Sequence, residues 1–302
     1  MIRIALLISE NLLPGPDQRE DAFEYEEQIG KLGPAFAKLG LSLEPVLWQE
    51  FHKVAHHYTL AMPLMIWDYA QGKYDAFLSE MERIGQLTTL RNSARLIRWN
   101  SDKSYLEDLY ARGAPVIPSQ TVETVTKESV EAAFNTFKTE RLVVKPCIGA
   151  GAWRQFSLKR GEDLPPLAQR PPGRALIQPF QTAVQKEGEY SLLFFDGIFS
   201  HGLVKRPEKG DYRVQSLYGG WDTAYQPDSA MIALAQKILT YLDEVPLYAR
   251  LDLLRGNDGE LKLIEFELIE PYLYLTMAKG DGAKNHGAQA LAASVFKRLS
   301  HK

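Results

Sequence analysis

The first 47 residues alternate between strand and helix, and this order constrains the fold more than any other feature. Ile2–Ile8 is a short apolar run followed by a loop with glycine and prolines, as expected of a buried strand. Apolar residues then recur at helical spacing over 21–39, and Gly40 follows as a candidate C-cap. Residues 43–47 indicate a second strand. Because two strands joined through a helix run parallel, we predict an α/β unit at the front of the chain.

The remainder is predicted to be richer in antiparallel hairpins. Its predicted strands are 142–145, 175–178, 190–195, 198–204, 247–254 and 260–269. Asp196-Gly197 is a strong signal for a two-residue hairpin turn. Helices are predicted over most of 53–91, from Ser101 or Asp102 to Gly113, and over 229–242, whereas 95–99 indicates a short strand or a connector. The expected fold class is therefore α/β (α+β), with a domain boundary near residue 98.

Composition excludes several classes of protein. The formal net charge is −3 over 302 residues, so we expect no nucleic-acid surface. Apolar runs of about 18 residues are absent and the N-terminal run is too short for a signal peptide, so we expect no membrane span and a soluble, cytoplasmic protein. The single Cys147 excludes an intramolecular disulfide. A homodimer is the default expectation for a soluble enzyme.

The last predicted hairpin collects charged residues in an apolar setting. Period two places Arg250 and Asp252 on one face, and Glu265 and Glu267 on one face beside the leucines that precede them. Closing the turn brings Asp252 opposite Glu265. Buried carboxylates need a cation, and Mg²⁺ prefers such oxygen ligands. The alternative is a solvent-facing strand whose glutamates only keep it soluble.

Two further segments are suited to phosphate. Lys145 ends an apolar strand and is followed by a loop of small residues containing Gly149 and Gly151, which lets backbone N–H groups approach an anion. Lys205 and Arg213 lie among glycine-rich turns, and their charges also suit phosphate. The alternatives are an ordinary tight turn for the first segment and a solvated surface hairpin for the second.

Other candidates carry less chemistry. His52, His56 and His57 lack the additional ligands of a zinc site, so surface or packing roles are preferred. Cys147 has no partner pattern of a thiol nucleophile. The first strand is not followed by the glycine pattern of a dinucleotide-binding enzyme, so NAD is not expected.

Several short motifs follow one another in a fixed order between about residues 95 and 277. They are 98–106, 113–118, 143–146, 178–180, 188–191, 210–213 with 219–220, 250–252 and 265–267. In this order they resemble the ATP-grasp ligases, especially the RimK and glutathione-synthetase branch. The resemblance implies an ATP-grasp fold. It would have a Rossmann-like pre-ATP-grasp domain at 1–98 and an ATP-grasp domain at 99–302, with subdomains at about 99–180 and 181–302.

The resemblance also implies roles for individual residues. The nucleotide contacts would be Lys103, Lys145 and Lys205, the loop with Gly149 and Gly151, the adenine hinge Gln178, Pro179 and Phe180, and Glu189 on the ribose. The ligands of two Mg²⁺ ions, with Mn²⁺ as a substitute, would be Asp252, Glu265 and Glu267. Arg213 and Arg250 would stabilise the transferring phosphoryl group.

The implied activity is an ATP- and Mg²⁺-dependent carboxylate–amine ligase that works through an acyl phosphate on an amino-acid or peptide-like substrate. Glu267 departs from the family, which commonly has asparagine there. The segment that follows, 268–273, is similar to the corresponding segment of the subgroup that includes the cyclising ligase of D-cycloserine biosynthesis. The alternatives are an ATP-dependent small-molecule kinase on the same fold and a non-catalytic ATP-binding module.

Overall fold

The structure is a computed structural model that describes residues 1–300. Within this range the strands form three sheets, each built from one continuous part of the chain. Helices flank the sheets, so the mixed α/β (α+β) class predicted from the sequence is confirmed.

The first sheet has the order β2-β1-β3-β4 and is parallel throughout. Its strands and the helices between them are, in chain order, β1 (Ile2–Ile8), α1 (Phe23–Ala37), β2 (Leu41–Leu47), β3 (Leu60–Met65), α2 (Tyr74–Leu87) and β4 (Thr89–Leu90). β1 is buried from Ile4 to Ile8 because it has a strand on each side. The predicted strand, helix and parallel strand are thus confirmed.

β3 corrects the prediction that 53–91 is mainly helical. Its six residues are all buried between neighbouring strands, although leucine, alanine and methionine favour helices. Burial in the sheet outweighs that local preference. Pro63 lacks an N–H group, and the pairing register with β1 shifts between Leu6 and Ile8, so the proline lies at an irregularity.

The second sheet is antiparallel, with the order β5-β8-β6-β7. The elements of this part are α3 (Ala94–Asn100), α4 (Tyr105–Ala111), β5 (Gln120–Val122), α5 (Lys127–Phe137), β6 (Arg141–Pro146), β7 (Phe156–Lys159) and β8 (Ala175–Pro179). β6 carries Lys145 to the start of the small-residue loop, as predicted.

The interpretation of 95–99 as a strand or a connector was wrong, because this segment lies in α3. The Ser93 side chain caps α3 by accepting a hydrogen bond from Leu96 N at 3.2 Å. α4 starts at Tyr105, later than predicted. Residues 101–104 therefore form a short turn between two helices.

The third sheet is antiparallel, with the order β11-β10-β9-β12-β13. The elements of this part are α6 (Ala183–Lys186), β9 (Glu189–Phe195), β10 (Ile198–Arg206), β11 (Trp221–Tyr225), α7 (Ser229–Leu239), β12 (Tyr248–Arg255), β13 (Leu261–Glu267) and α8 (His286–Ser300). Asp196 and Gly197 both have positive φ, at 51° and 75°, which confirms the predicted tight hairpin turn.

A buried apolar cluster connects the first sheet to the last part of the chain. Ile4 of β1 belongs to the same cluster as Phe195 of β9 and Leu291 of α8. Each sheet nevertheless falls inside one of the predicted segments, so we propose domain boundaries near residues 98 and 180. No helix within residues 1–300 is long and apolar enough to span a membrane.

Candidate active site

The β12–β13 hairpin has the predicted register at its charged residues. Asp252 pairs with Glu265, and Arg250 pairs with Glu267. The sequence prediction that these four side chains converge at one place is therefore confirmed. They line one cleft to which the parts of the chain that form all three sheets contribute residues.

A β-bulge corrects the predicted neighbours of Glu265. The partner of Asp252 is Glu265 but that of Leu253 is Leu263, so Ile264 is an extra residue in β13. Leu263 is fully buried in the apolar core instead of sharing the face of Glu265. Ile264 and Glu265 consequently line the same small cavity although they are adjacent in sequence.

Asp252 is the most enclosed of the carboxylates, with 1% of its surface exposed. It accepts hydrogen bonds from Ser191 Oγ at 2.5 Å, Lys205 Nζ at 3.0 Å and Arg250 Nε at 3.0 Å. Burial opposes its ionisation, but Arg250 and Lys205 outweigh burial and hold the pKa of Asp252 below its ordinary range. Asp252 is therefore ionised and held rigidly.

Glu265 is paired with Lys103 across the cleft at 2.8 Å. Burial opposes ionisation here as well, yet Lys103 and Lys145 lower the pKa of Glu265 to about 2. Lys103 also donates a hydrogen bond to the Gly149 carbonyl at 2.8 Å. One lysine thus joins the predicted metal-binding strand to the predicted phosphate-binding loop.

Glu267 has a different electrostatic environment. Burial raises the pKa of Glu267 to about 7, and the neighbouring charges of Asp252 and Glu265 add to this although Arg250 opposes it. The Arg250 guanidinium donates a short hydrogen bond to Glu267 and also contacts Asp252 at 2.9 Å. Glu267 is therefore partly protonated near neutral pH.

Each predicted metal ligand is paired with a basic side chain. No group of three histidine, cysteine or carboxylate residues within residues 1–300 is arranged closely enough to hold a metal ion as it stands. Asp252 and Glu265 are nonetheless ionised and face each other, which is chemistry that suits a hard divalent cation. Their role as magnesium ligands stays a prediction.

Two adjoining cavities lie beside the hairpin. The larger, of about 210 Å³, is lined by the carboxylates and lysines. The smaller, of about 70 Å³, has apolar walls from Val143, Phe180, Leu254 and Ile264. Lining residues common to both are Lys145, Gln155, Glu189, Gln215 and Glu265. An apolar recess that opens into a charged cleft has the polarity of a nucleotide, with its flat base and its charged phosphates.

Lys145 is buried, with 6% of its surface exposed, and lines both cavities. Among residues 1–300 it has no carboxylate within ion-pair distance, and burial lowers the pKa of Lys145 although Glu265 partly offsets this. The Gln215 Oε1 atom is also buried there without a hydrogen-bond partner. A buried cation and a free amide at one place are groups that a bound nucleotide would satisfy.

Lys205 lies in the same cleft, but its charge is already neutralised. Its Nζ is 2.6 Å from Glu189 and 3.0 Å from Asp252. Burial alone would lower the pKa of Lys205, but these two carboxylates raise it above its ordinary value. The roles of Lys205 on phosphate and of Glu189 on ribose stay predictions, and ribose binding would have to compete with the ion pair.

The predicted hinge lines the smaller cavity, as an adenine site requires. The Gln178 amide donates to Ser119 at 2.8 Å, and Phe180 N donates to the Arg141 carbonyl at 2.9 Å. The Pro179 carbonyl accepts from Gln181 at 2.7 Å. Phe180 has the Arg141 guanidinium 3.7 Å above its ring. This part of the hinge therefore offers apolar surface rather than free hydrogen-bonding groups.

The loop after β6 has the backbone that its glycines predict. Gly151 has φ of +61°, and a Cβ atom on Gly149 would lie 3.0 Å from Pro146 Cγ. Both residues line the larger cavity. The loop also touches a second loop, since Tyr218 Oη lies 3.5 Å from the Gly151 carbonyl. Two loops that both contribute residues to the cleft thus contact each other.

Arg213 is not brought together with Arg250. Its guanidinium pairs with Asp211 at 2.6 Å and lies 3.7 Å above the Tyr218 ring. It lines the smaller cavity but not the cleft that contains the carboxylates. A contact with the transferring phosphoryl group would require this loop to move, so the catalytic role of Arg213 stays a prediction.

Several residues of the cleft were not identified from the sequence. They are Arg19, Glu24, Trp67, Tyr69, Glu270, Tyr272 and Tyr274. Burial raises the pKa of Glu270 to about 8 and that of Glu24 to about 8. These residues come from the first part of the chain and from the segment after β13, and no site role was predicted for any of them, although Glu270 and Tyr272 lie in the 268–273 segment that resembles the subgroup. Only the fold brings them together.

Comparison with known proteins agrees with this geometry. A family model described as the N-terminal domain of D-cycloserine synthetase DcsG matches residues 4–92. The cycloserine biosynthesis protein DcsG of Streptomyces lavendulae is 35% identical over 248 residues, which cover 75% of this chain and 80% of that protein.

Solved structures show the same similarity over the whole chain. The crystal structure of D-cycloserine synthetase DcsG aligns with a TM-score of 0.78 and 27% identity, covering 98% of this chain and 99% of that one. D-alanine–D-alanine ligase from Bacillus anthracis aligns with a TM-score of 0.67 and 14% identity, covering 100% and 99%, and so shows the shared fold alone. The chain belongs to the ATP-grasp ligases, in the family that contains D-cycloserine synthetase DcsG.

Proposed function

We propose that this ATP-dependent ligase uses Mg²⁺ to activate the carboxylate of an amino-acid-derived substrate as an acyl phosphate, which an amine-type nitrogen then attacks. One observation carries the proposal. The unpaired, buried Lys145 lies beside two ionised carboxylates, Asp252 and Glu265, in one cleft. A site for an anion and a site for a cation thus adjoin, as a metal-bound nucleotide requires.

ATP would extend through both cavities. Its adenine would occupy the apolar recess formed by Val143, Phe180 and Ile264. Its phosphates would then reach Lys145 and the loop with Gly149 and Gly151, because these line the charged cleft. The buried Gln215 Oε1 would accept a hydrogen bond from the adenine or the ribose.

Asp252, Glu265 and Glu267 would hold the magnesium. We propose two ions, since three carboxylates exceed the needs of one Mg²⁺ that keeps several waters, with Mn²⁺ as a substitute. When bound, the metal neutralises the charge that develops on the phosphate oxygens. The structure supports this role, because the basic partners of these carboxylates can turn to phosphate when a cation replaces them.

The chemistry balances without a protein nucleophile. An oxygen of the substrate carboxylate attacks the γ-phosphorus and ADP leaves, so an acyl phosphate forms. The amine-type nitrogen then attacks the carbonyl carbon, the C–O bond to phosphate breaks, and inorganic phosphate leaves as the nitrogen loses its proton. Arg250 and Lys145 offset the approach of the two anions in the first step.

We propose that the substrate is small and enters beside the first sheet. Trp67, Tyr69 and Tyr272 line that side of the cleft together with Glu24 and Arg19. Aromatic walls beside Glu24 and the Arg19–Asp21 ion pair suit an amino acid, which has both an amino and a carboxyl group. Because the relative is a D-cycloserine synthetase, and the ring of cycloserine contains an amide, ring closure within one molecule is the reaction that we propose first.

Phosphate release tests the proposed chemistry. We would incubate the enzyme with Mg²⁺ and ATP and add either β-aminooxy-D-alanine, which is the open-chain acid of the cycloserine ring, or D-alanine with a second amino acid. We expect ADP and inorganic phosphate in equal amounts, each dependent on the added substrate. With an ¹⁸O-labelled carboxylate, one label should pass to phosphate.

Two outcomes would contradict the proposal. ADP formation with a stable phosphorylated product, and no free phosphate, would indicate the kinase alternative. Binding of ATP without turnover of any carboxylate would indicate a binding module. The homodimer and the cytoplasmic location stay predictions from the sequence.

The pKa of Glu267 predicts a pH dependence of metal binding. Because burial raises the pKa of this carboxyl to about 7, Mg²⁺ must displace its proton below that pH. Binding should strengthen as the pH rises through about 7. The free energy of unfolding without metal should fall over the range from about 4.5 to about 7, since the folded state binds this proton more tightly.

Calorimetry can measure the release of the Glu267 proton when Mg²⁺ binds. We expect Mg²⁺ binding with a non-hydrolysable ATP analogue to release protons at pH 6 in wild type and to release fewer in Glu267→Gln. The same experiment in two buffers of different ionisation enthalpy gives the number released. Equal proton release from both proteins would show that another group titrates.

A further inference from the structure

Side chains close part of the outer edge of β13. β13 is the last strand of its sheet, so within residues 1–300 the backbone groups on its outer side have no neighbouring strand of that sheet to pair with. The residues there are buried, with Phe266 1% exposed and Leu268 fully buried. Unpaired buried backbone groups are costly, so each needs a partner from elsewhere in the fold.

Before the bulge, the outer backbone groups of β13 are paired with backbone groups of another segment. Leu263 N donates to the Pro115 carbonyl at 2.8 Å, and the Leu263 carbonyl accepts from Ile117 N at 2.9 Å. This support ends at Leu263. The part of β13 that carries Glu265 and Glu267 begins one residue later, after the extra residue Ile264.

Beyond the bulge two side chains take the place of a strand. Tyr105 Oη accepts a hydrogen bond from Phe266 N at 2.7 Å and donates to the Phe266 carbonyl at 3.2 Å. Asn100 Nδ2 donates to the same carbonyl at 2.7 Å, and Asn100 Oδ1 accepts from Leu268 N at 3.0 Å. Three backbone groups on this edge are thus satisfied by two residues.

The fold fixes these two residues themselves. Asn100 is the last residue of α3 and Tyr105 is the first of α4, so both belong to rigid elements. The Tyr105 ring packs against Trp99 at 5.1 Å between centroids, and Trp99 Nε1 donates to Asp108 at 2.8 Å. The turn between them carries Lys103, which contacts Glu265 directly.

The backbone position of Phe266 determines where the side chains of the two neighbouring glutamates project from the strand. Glu265 and Glu267 are its neighbours on either side, and both point to the opposite face from its buried ring. A bulge locally disrupts the ladder of a sheet and leaves its extra residue, here Ile264, without a partner residue in β12. The hydrogen bonds to Phe266 N and its carbonyl support the strand directly beyond that disruption.

We propose that Asn100 and Tyr105 are positioning residues, which set the spacing of Glu265 and Glu267 for a metal-bound nucleotide. This inference rests on the proposed function. Neither residue needs to touch the metal, because each acts through the backbone of Phe266. Partners that orient metal ligands in this way commonly change metal affinity by about 10–100-fold when they are removed.

The test uses Tyr105→Phe, which keeps the ring and removes only the hydroxyl, and Asn100→Leu, which keeps the volume and removes both hydrogen bonds. Mg²⁺ is titrated calorimetrically into each protein with saturating AMP-PNP. We expect the Mg²⁺ concentration at half-saturation to rise about tenfold in each variant. The apparent Mg²⁺ requirement of turnover should rise in parallel.

Tyr248→Phe is the matched control. Tyr248 is fully buried, and its hydroxyl donates to the Ile269 carbonyl at 2.9 Å in the segment after β13. The Tyr248→Phe substitution removes a comparable buried hydrogen bond at a position away from Phe266. We expect a lower melting temperature in this control without a change in the Mg²⁺ midpoint. Circular dichroism establishes which variants are folded, and the test is read from the variants that fold.

The outcomes separate this inference from the proposed function. If wild type and both variants share one Mg²⁺ midpoint, or if the control rises as much as they do, the positioning role is wrong. If wild type with AMP-PNP binds no Mg²⁺ at all, the proposed function fails and the inference fails with it.

Discussion

Asp252→Asn should lower kcat by about a hundredfold or more, because it removes a metal-binding charge while preserving the shape of the side chain. A metal that neutralises developing charge contributes several kcal/mol to the transition state, and about 3 kcal/mol corresponds to about a hundredfold in rate. Asp252 is also the partner of Arg250 and Lys205, which would remain buried with less compensation. Steady-state phosphate release at saturating substrate measures the loss.

The same variant should be less stable without ligand, and this needs a control. Removing one partner of a buried ion pair costs about 3–5 kcal/mol, so denaturant unfolding must accompany the kinetics. Asp196→Asn is a suitable control, since Asp196 pairs with Lys297 and Arg298 away from the cleft. It should lose some stability and keep its kcat. A normal kcat in Asp252→Asn would exclude this residue as a metal ligand.

Lys145→Met should produce opposite effects on stability and on nucleotide binding. The lysine is buried and has no ion pair among the residues that the structure describes, and burial disfavours its charge, so the ligand-free variant should be at least as stable as wild type. Its contact with phosphate would be lost. A hydrogen bond to a charged group contributes about 2 kcal/mol, which corresponds to about thirtyfold in the Kd of Mg²⁺·ATP.

Lys103→Met gives the informative comparison. Lys103 also lines the cleft but is paired with Glu265, so its removal leaves the half-buried carboxylate of Glu265 without its ion-pair partner. This variant should lose stability before any nucleotide is added. Melting temperatures without ligand and calorimetric Kd values for both variants measure the contrast. A large loss of stability in Lys145→Met would show that this lysine serves the fold instead of the ligand.

The convergence of the charged residues was predictable, because strand alternation places Arg250 with Asp252 and Glu265 with Glu267. Their pairing depends on more than local rules, since the register beside the turn would place Asp252 opposite Ile264 and the bulge brings Glu265 opposite Asp252 instead. The bulge at Ile264 was not predictable in this way. It depends on how β13 meets the 115–117 segment and the core, and neither is visible in the spacing of residues. The sequence therefore predicts which charged residues meet in the cleft but assigns Leu263 to the wrong face.

Local sequence patterns also could not predict which residues distant segments contribute to the cleft. Tyr69 and Glu270 meet in the cleft only because the first sheet packs beside the third. β3 was missed because its residues favour a helix locally, whereas burial between two strands decides its structure. Motif order was the one long-range signal that the sequence contained. It was sufficient for the family, but it did not indicate the substrate side of the cleft.

Binding of Mg²⁺·ATP in this cleft is the most direct test. We would follow the melting temperature of wild type and Glu265→Ala with ATP, ADP and NAD, each with and without Mg²⁺. A ligand at about 100 times its Kd stabilises the folded state by about 2.7 kcal/mol, so wild type should melt several degrees higher with Mg²⁺·ATP. Glu265→Ala should lose this shift, and NAD should give none. If no adenine nucleotide raises the melting temperature of wild type, or if Glu265→Ala responds as wild type does, the nucleotide and metal site is not where we place it.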